Sequence, residues 1–132
     1  MLFLPDTNAI SAYFQQRDAK LAQHFSATFP HLRLSVLVLA ELEYGATKSG
    51  VARHRSRLDA LLANIAVEPF RTEDTLCYGR LRAALERSGN VIGTMDTLIA
   101  AQALRLGATI VTHNLREFSR VPGLKIEDWQ SA

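Results

Sequence analysis

Short apolar runs that stop abruptly on polar residues recur along this chain, separated by stretches of helical spacing. Leu2-Phe3-Leu4 is halted by Pro5-Asp6, and Leu32-Arg33-Leu34 by Ser35. Ala66-Val67 ends on Glu68-Pro69, and the β-branched run Ala108-Thr109-Ile110-Val111-Thr112 ends on His113-Asn114. Runs of this length and composition read as buried strands, and Leu124-Lys125-Ile126-Glu127 reads as a last one. Between them the spacing predicts helices from Ala9 to Phe14, from an Asp18 cap to about Phe29, and from a Ser35 cap to about Gly45. Others follow from Val51 to Asn64, from Thr72 to Ser88, from a Thr94 cap through Met95 to Leu106, and briefly after Asn114 to about Ser119. Ala46 to Gly50 reads as a basic, polar turn and residues 90–93 as a loop. A single long strand from Leu32 to Leu39 is the competing reading there, because Val and Leu dominate.

Strands alternating with helices imply crossover connections, hence an α/β fold with a mostly parallel sheet covered on both faces. At 132 residues the chain suits one domain, residues 1–132. The single cysteine, Cys77, excludes an internal disulfide and a cysteine-based zinc site. Met1 to Leu4 lacks the basic start of a signal peptide, and no apolar run approaches the ~18–20 residues of a membrane span. The expectation is a cytoplasmic protein without a membrane partner.

In an open parallel sheet, ligands bind beyond the carboxyl ends of the strands. Asp6-Thr7-Asn8 and Thr112-His113-Asn114 are therefore the places to look for chemistry. A buried Asp at a strand end must be paired, protonated or bound to a cation; as a plain alternative, Asp6 or Asn8 caps the next helix. Glu41 lies within the apolar stretch Val36 to Leu42, where a carboxylate is costly without a partner unless that helix face is exposed. Asp96 falls in the first turn of its helix, where the helix dipole alone explains it. Gly93 before it suggests a tight turn or a close backbone approach. If Asp6, Glu41 and Asp96 converge, their repulsion raises their pKa values unless a cation intervenes. All-oxygen ligands point to Mg²⁺ or Mn²⁺. Asn8, Thr112, Asn114 and Glu117 are candidates to orient a carboxylate or hold a water around such an ion.

The net charge is a mild +2, but twelve of the fifteen bases are arginines. Arginine's planar fork suits phosphate, although a base composition that favours Arg codons explains the same bias. Lys48, Arg53, Arg55 and Arg57 make a basic stretch without an acid, a candidate surface for gripping phosphate. Arg80, Arg82 and Arg87 make a second cluster, fit for an acidic partner or only for water.

Taken in order, Leu4-Pro5-Asp6-Thr7-Asn8, Ser35-Val36 through Ala40-Glu41-Leu42-Glu43-Tyr44-Gly45-Ala46, Ile92-Gly93-Thr94-Met95-Asp96-Thr97-Leu98-Ile99-Ala100-Ala101, Ile110-Val111-Thr112-His113-Asn114 with Glu117-Phe118, and Pro122-Gly123-Leu124 to Trp129 resemble the PIN-domain ribonucleases. The likeness is strongest to the VapC-type toxins of bacterial toxin–antitoxin pairs. It implies a three-layer α/β/α fold. It implies that Asp6 and Asp96 bind Mg²⁺ or Mn²⁺ directly and Glu41 directly or through water, for endonucleolytic cleavage of RNA, often a tRNA or ribosomal RNA loop. It further implies a VapB-type antitoxin whose tail covers the active-site groove, a homodimer, and contact with operator DNA only through the antitoxin. Many members carry another Asp after the penultimate strand, where this chain has His113-Asn114 and then Glu117, and Pro5 replaces a commoner aliphatic residue. The missing Asp leaves room for a catalytically silent scaffold that binds RNA or antitoxin. A haloacid-dehalogenase-like phosphatase would want a second Asp at position 8, where this chain has Asn8.

Overall fold

The computed structural model describes residues 1–131. Five short strands run in chain order, β1 (Phe3–Pro5), β2 (Arg33–Ser35), β3 (Ala66–Glu68), β4 (Thr109–Val111) and β5 (Lys125–Glu127). Helices α1 (Thr7–Gln15) and α2 (Ala19–Thr28) join β1 to β2, and α3 (Val36–Ser49) and α4 (Ala52–Leu62) join β2 to β3. Then α5 (Thr72–Arg87) and α6 (Thr94–Leu106) lead to β4, and the single turn α7 (Leu115–Phe118) leads to β5.

Every pairing among the described strands is parallel. One ladder holds β1, β4 and β5 and another holds β2 and β3, joined by a single parallel bridge between Phe3 and Leu32. The spatial order is therefore β3-β2-β1-β4-β5. Pro5 explains why that junction is so short. The Asp6 N–H donates to the Val111 carbonyl at 2.9 Å, on the β4 side. Successive amides alternate sides, so the Pro5 nitrogen faces β2, where it has no hydrogen to give. Proline thus withholds the donor that would carry the β1–β2 pairing beyond the single Phe3–Leu32 bridge, and costs nothing on the β4 side.

The chain runs outward from β1 through β2 to β3, then returns and runs the other way through β4 to β5. Right-handed crossovers place α1–α4 on one face and α5–α6 on the other. The reversal lies between β1 and β4, which makes their carboxyl ends the natural ligand crevice. Leu4, Ile110 and Leu34 are buried at the sheet centre, packed with Ile10, Val38, Ile99 and Ala103 from the helices. Beyond β5, Trp129 is buried against Phe3 and Phe25, and its indole N–H donates to Glu127 at 2.9 Å.

Asp18 caps α2 by accepting the Leu21 N–H at 3.1 Å, and Ser35 caps α3 through Leu37, both as the sequence predicts. The short strand ending at Ser35 replaces the longer competing strand. Helix α3 does not stop near Gly45. It continues through the expected turn to Ser49 and closes on Gly50 in the left-handed region, φ 63°. Gly45 costs that helix about 1 kcal/mol relative to alanine, too little to end it once Val38 and Leu42 are anchored in the core. At α6 the cap is Gly93, and Thr94 is the first helical residue. A Cβ at Gly93 would meet only Asp96 Oδ2, at 3.9 Å, so no close backbone approach requires glycine there.

A polar network lies inside the fold where β2 and β3 end. Gln102 of α6, fully buried, accepts from Ser35 Oγ at 2.6 Å and donates to the Glu68 and Pro69 carbonyls at 3.2 and 3.0 Å. Beside it, Arg105 grips Asp74 in a bidentate pair and reaches Glu68 at 3.6 Å, and Arg33 bonds Glu68 at 2.6 Å. Asp74 also accepts the Arg71 N–H at 2.7 Å, closing the N-terminus of α5. The apolar spacing of α6 gave no sign of Gln102, because a single polar residue on an alanine-rich helix reads as exposed.

Candidate active site

Asp6 sits at the end of β1 and doubles as the cap of α1, its Oδ1 accepting the Ala9 N–H at 2.8 Å. The two readings of Asp6 thus coexist: one carboxylate oxygen is committed to the helix, and the other is not needed for the cap. The residue is buried, at 6% exposure. Burial pushes its carboxyl above the usual range; hydrogen bonds from Thr112 and Ala9 pull the other way, and the charges of Glu41 and Asp128 push it up further. The Asp6–Val111 backbone bond sets Asp6 next to Thr112 at the end of β4.

Asp96 arrives from the first turn of α6. Its carboxyl is pushed up to about 7, chiefly by burial, then by a hydrogen bond and charge from Glu117, with Asp6 and Glu41 adding to it. Glu117, on α7, is in turn held by Asn114 Nδ2 at 3.0 Å, and the Asn114 N–H is capped by Thr112 Oγ1 at 2.9 Å. Glu41, half-buried on α3, accepts from Thr7 Oγ1 at 2.5 Å. The fold therefore gathers Asp6, Glu41, Asp96 and Glu117 at the β1/β4 reversal, with Thr112 and Asn114 bracing two of them. Asn8 is exposed on the first turn of α1, and Thr7 beside it is the residue that reaches Glu41. Thr7 was open to discovery, since it lies inside the same Asp6-Thr7-Asn8 stretch, but helical phase alone does not say which side chain faces α3.

None of these four carboxylates has a Lys or Arg partner among the described ion pairs. Their donors are all oxygen, which suits a hard divalent cation. Among the described residues, no three His, Cys, Asp or Glu side chains stand in a chelating arrangement, since each carboxylate is turned towards its own hydrogen-bond partner. The donor chemistry and the crowding of charge fit such an ion.

The basic stretch is divided by its partners. Arg55 is committed to Glu43 at 2.6 Å and Asp59 at 2.8 Å, so it is not a free cation. Those bonds tighten the hold on its proton, Glu43 first. Lys48 lies 5.6 Å over the Tyr44 ring, and Arg53 is exposed at the start of α4. Arg57 lines a groove of about 340 Å³ between α1, α3 and α4, whose other end is Thr7 and Glu41. In the second cluster, Arg82 is tied to Tyr78 at 2.9 Å and Glu86 at 3.4 Å. His113 pairs with Asp128 at 2.9 Å at the rim of the site.

The model of the PIN domain matches residues 3–124. The chain is 34% identical to the tRNA(fMet)-specific endonuclease VapC of Salmonella typhimurium over 128 residues, 96% of this chain and 97% of that one. It is 42% identical to Ribonuclease VapC2 of Rickettsia felis over 99 residues, 74% of each. The crystal structure of VapBC2 from Rickettsia felis, bound to a DNA fragment from its promoter, superposes with a TM-score of 0.91 at 34% identity, covering 98% of this chain and all of that one. With the carboxylates standing at the carboxyl ends of the paired strands β1 and β4, the chain belongs to the PIN-domain family, among the VapC ribonucleases.

Proposed function

We propose that this chain is the toxin of a toxin–antitoxin pair, an endoribonuclease that depends on Mg²⁺ or Mn²⁺ and cuts a tRNA or ribosomal RNA loop in the cytoplasm. The observation that carries this reading is the cluster of four carboxylates without a cationic side chain. Its relatives, named ribonuclease and tRNA(fMet)-specific endonuclease, support the substrate class. The complexes in which such chains sit with an antitoxin on promoter DNA support a VapB-type partner and operator contact through it. No helix among the described residues is long and apolar enough to cross a membrane.

Asp6 and Asp96 would hold the ion, with Glu41 binding it directly or through water. When bound, it supplies positive charge to the scissile phosphate and lowers the pKa of a neighbouring water. Thr7 keeps Glu41 in place, and Thr112 keeps Asp6 in place. Glu117, whose role the sequence left open, is braced by Asn114 and hydrogen-bonds Asp96, raising the Asp96 pKa.

The raised Asp96 pKa has a measurable consequence. Asp96 titrates near 7 in the folded protein against 3.8 ordinarily. Between those values the folded state binds more protons than the unfolded one, so metal-free stability falls as pH rises from about 4 to about 7. A cation that binds the ionised cluster reverses the trend. Thermal melts should show Mn²⁺ raising Tm more at pH 8 than at pH 5, with no effect in Asp96→Asn. A wild-type Tm indifferent to Mn²⁺ and Mg²⁺ at both pH values contradicts the metal assignment.

Lys48, Arg53 and Arg57 are the phosphate contacts in this reading, and Arg55 is a brace between α3 and α4. Replacing Lys48 or Arg53 with Ala should lower the slope of log affinity against log salt by about 1 each. Arg55→Ala should leave that slope unchanged while lowering Tm. Equal slopes for all three variants would reject the division.

A further inference from the structure

We propose that the groove between α1, α3 and α4 is a specificity pocket that takes one unstacked nucleotide of the RNA next to the scissile phosphate, an inference that rests on the nuclease reading above. The groove is continuous with the carboxylate cluster, because Thr7 and Glu41 close one end of it. At about 340 Å³ it falls at the small end of ligand sites, room for a single nucleotide and not for a folded element.

Its walls match the parts of a nucleotide. Phe14, half-buried, presents an aromatic side chain to the groove beside the apolar Leu42 and Leu58. A base finds sequence-tolerant stacking on such a surface. His54 Nδ1 is engaged with Ser49 Oγ at 2.9 Å, which leaves Nε2 for the polar edge of a base. Arg57 has no carboxylate partner among the described ion pairs, unlike Arg55 two residues earlier, and offers its guanidinium to a phosphate. RNA read in single-stranded loops is recognised in this way, by splayed bases stacked on aromatic side chains and hydrogen-bonded on their edges. The acidic end repels phosphate unless a cation is bound, so the same arrangement places the anion at Arg57 or at the metal and the base between them.

Gly45 provides the test. It lines the groove, and a Cβ there meets nothing within 4 Å. Gly45→Leu therefore has room for its Cβ, narrows the groove with the rest of its side chain, and strengthens a helix interior. Wild-type protein is first incubated with unfractionated bacterial tRNA and Mn²⁺, and the cut site is mapped. A short stem-loop carrying that site is then made intact and with single abasic nucleotides on either side of the cut. Bis(p-nitrophenyl) phosphate, a diester without a base, reports on the carboxylate site alone.

One abasic position should lower wild-type kcat/KM by about 10- to 100-fold. Gly45→Leu should lose the same factor on the intact loop, lose little more on the abasic one, and hydrolyse the simple diester at the wild-type rate. The inference is overturned if Gly45→Leu cuts the intact loop like wild type, which makes the groove a protein-docking surface or an idle one, or if no abasic position matters to the wild type. If the wild type cleaves neither RNA nor diester, the nuclease reading fails first and takes this inference with it.

Discussion

Asp6→Asn should abolish RNA cleavage and leave the fold standing. Removing a partner that merely supports a metal ligand already costs ~10–100-fold in metal affinity or activity, so loss of a directly binding charge should exceed about 100-fold. The fold survives because the cap survives: the Asn side-chain oxygen can still accept the Ala9 N–H that Asp6 accepts at 2.8 Å. The substitution also removes a buried carboxyl that burial, Glu41 and Asp128 all disfavour as an anion. The metal-free variant should therefore melt at or above the wild-type temperature at pH 8. Its activity is read on mapped tRNA with Mn²⁺, and its fold by circular dichroism. A folded Asp6→Asn protein that still cleaves at the wild-type site removes Asp6 from the mechanism.

Asp74→Ala has the largest expected effect on stability. Asp74 is fully buried, takes both a bidentate Arg105 and the Arg71 N–H, and has no part in the carboxylate cluster. Breaking a buried pair from one side costs about 3–5 kcal/mol, because the remaining charge is left in a poorly solvated site. In a domain of this size that lowers Tm by roughly 10 °C or more. Arg105 keeps Glu68 at 3.6 Å and is 20% exposed, which places the cost towards the lower end of that range. Metal-dependent cleavage below the new Tm should persist. A melting point within 2–3 °C of wild type, as for an ordinary surface change of about 0.5 kcal/mol, would show the pair to be dispensable.

The strands were legible because each short apolar run closes on a polar residue at the strand end or just past it, Asp6, Ser35, Glu68 or Thr112. The helix caps at Asp18 and Ser35 were legible for the same local reason. What escaped depended on tertiary context. Gly45 reads as a stop, yet α3 runs on because its buried face, not its propensity, decides its length. Thr94 reads as a better cap than Gly93, but the chain leaves the loop one residue earlier. The order of Asp6, Glu41 and Asp96 along the chain carries the resemblance that implies a joint site, whereas the position of Glu117 depends on α7 turning back over the end of β4. Arg55 looked like one of four equivalent cations. Only the packing of α3 against α4, which brings Glu43 across to it, removes it from that set. Thr7 and Gln102 share a lesson: a small polar residue in a helical stretch carries no mark of which way it faces.

On the proposed reading, the carboxylates at the β1/β4 reversal make this chain a ribonuclease that depends on a divalent metal. The most direct measurement is incubation of the purified, antitoxin-free protein with isolated tRNA and total RNA, in Mn²⁺, in Mg²⁺ and in EDTA, beside Asp96→Asn. Discrete fragments are expected on this reading with either metal, and none with EDTA or with the variant. Intact RNA after incubation with folded wild-type protein in both metals, or fragments that persist in EDTA, would contradict it.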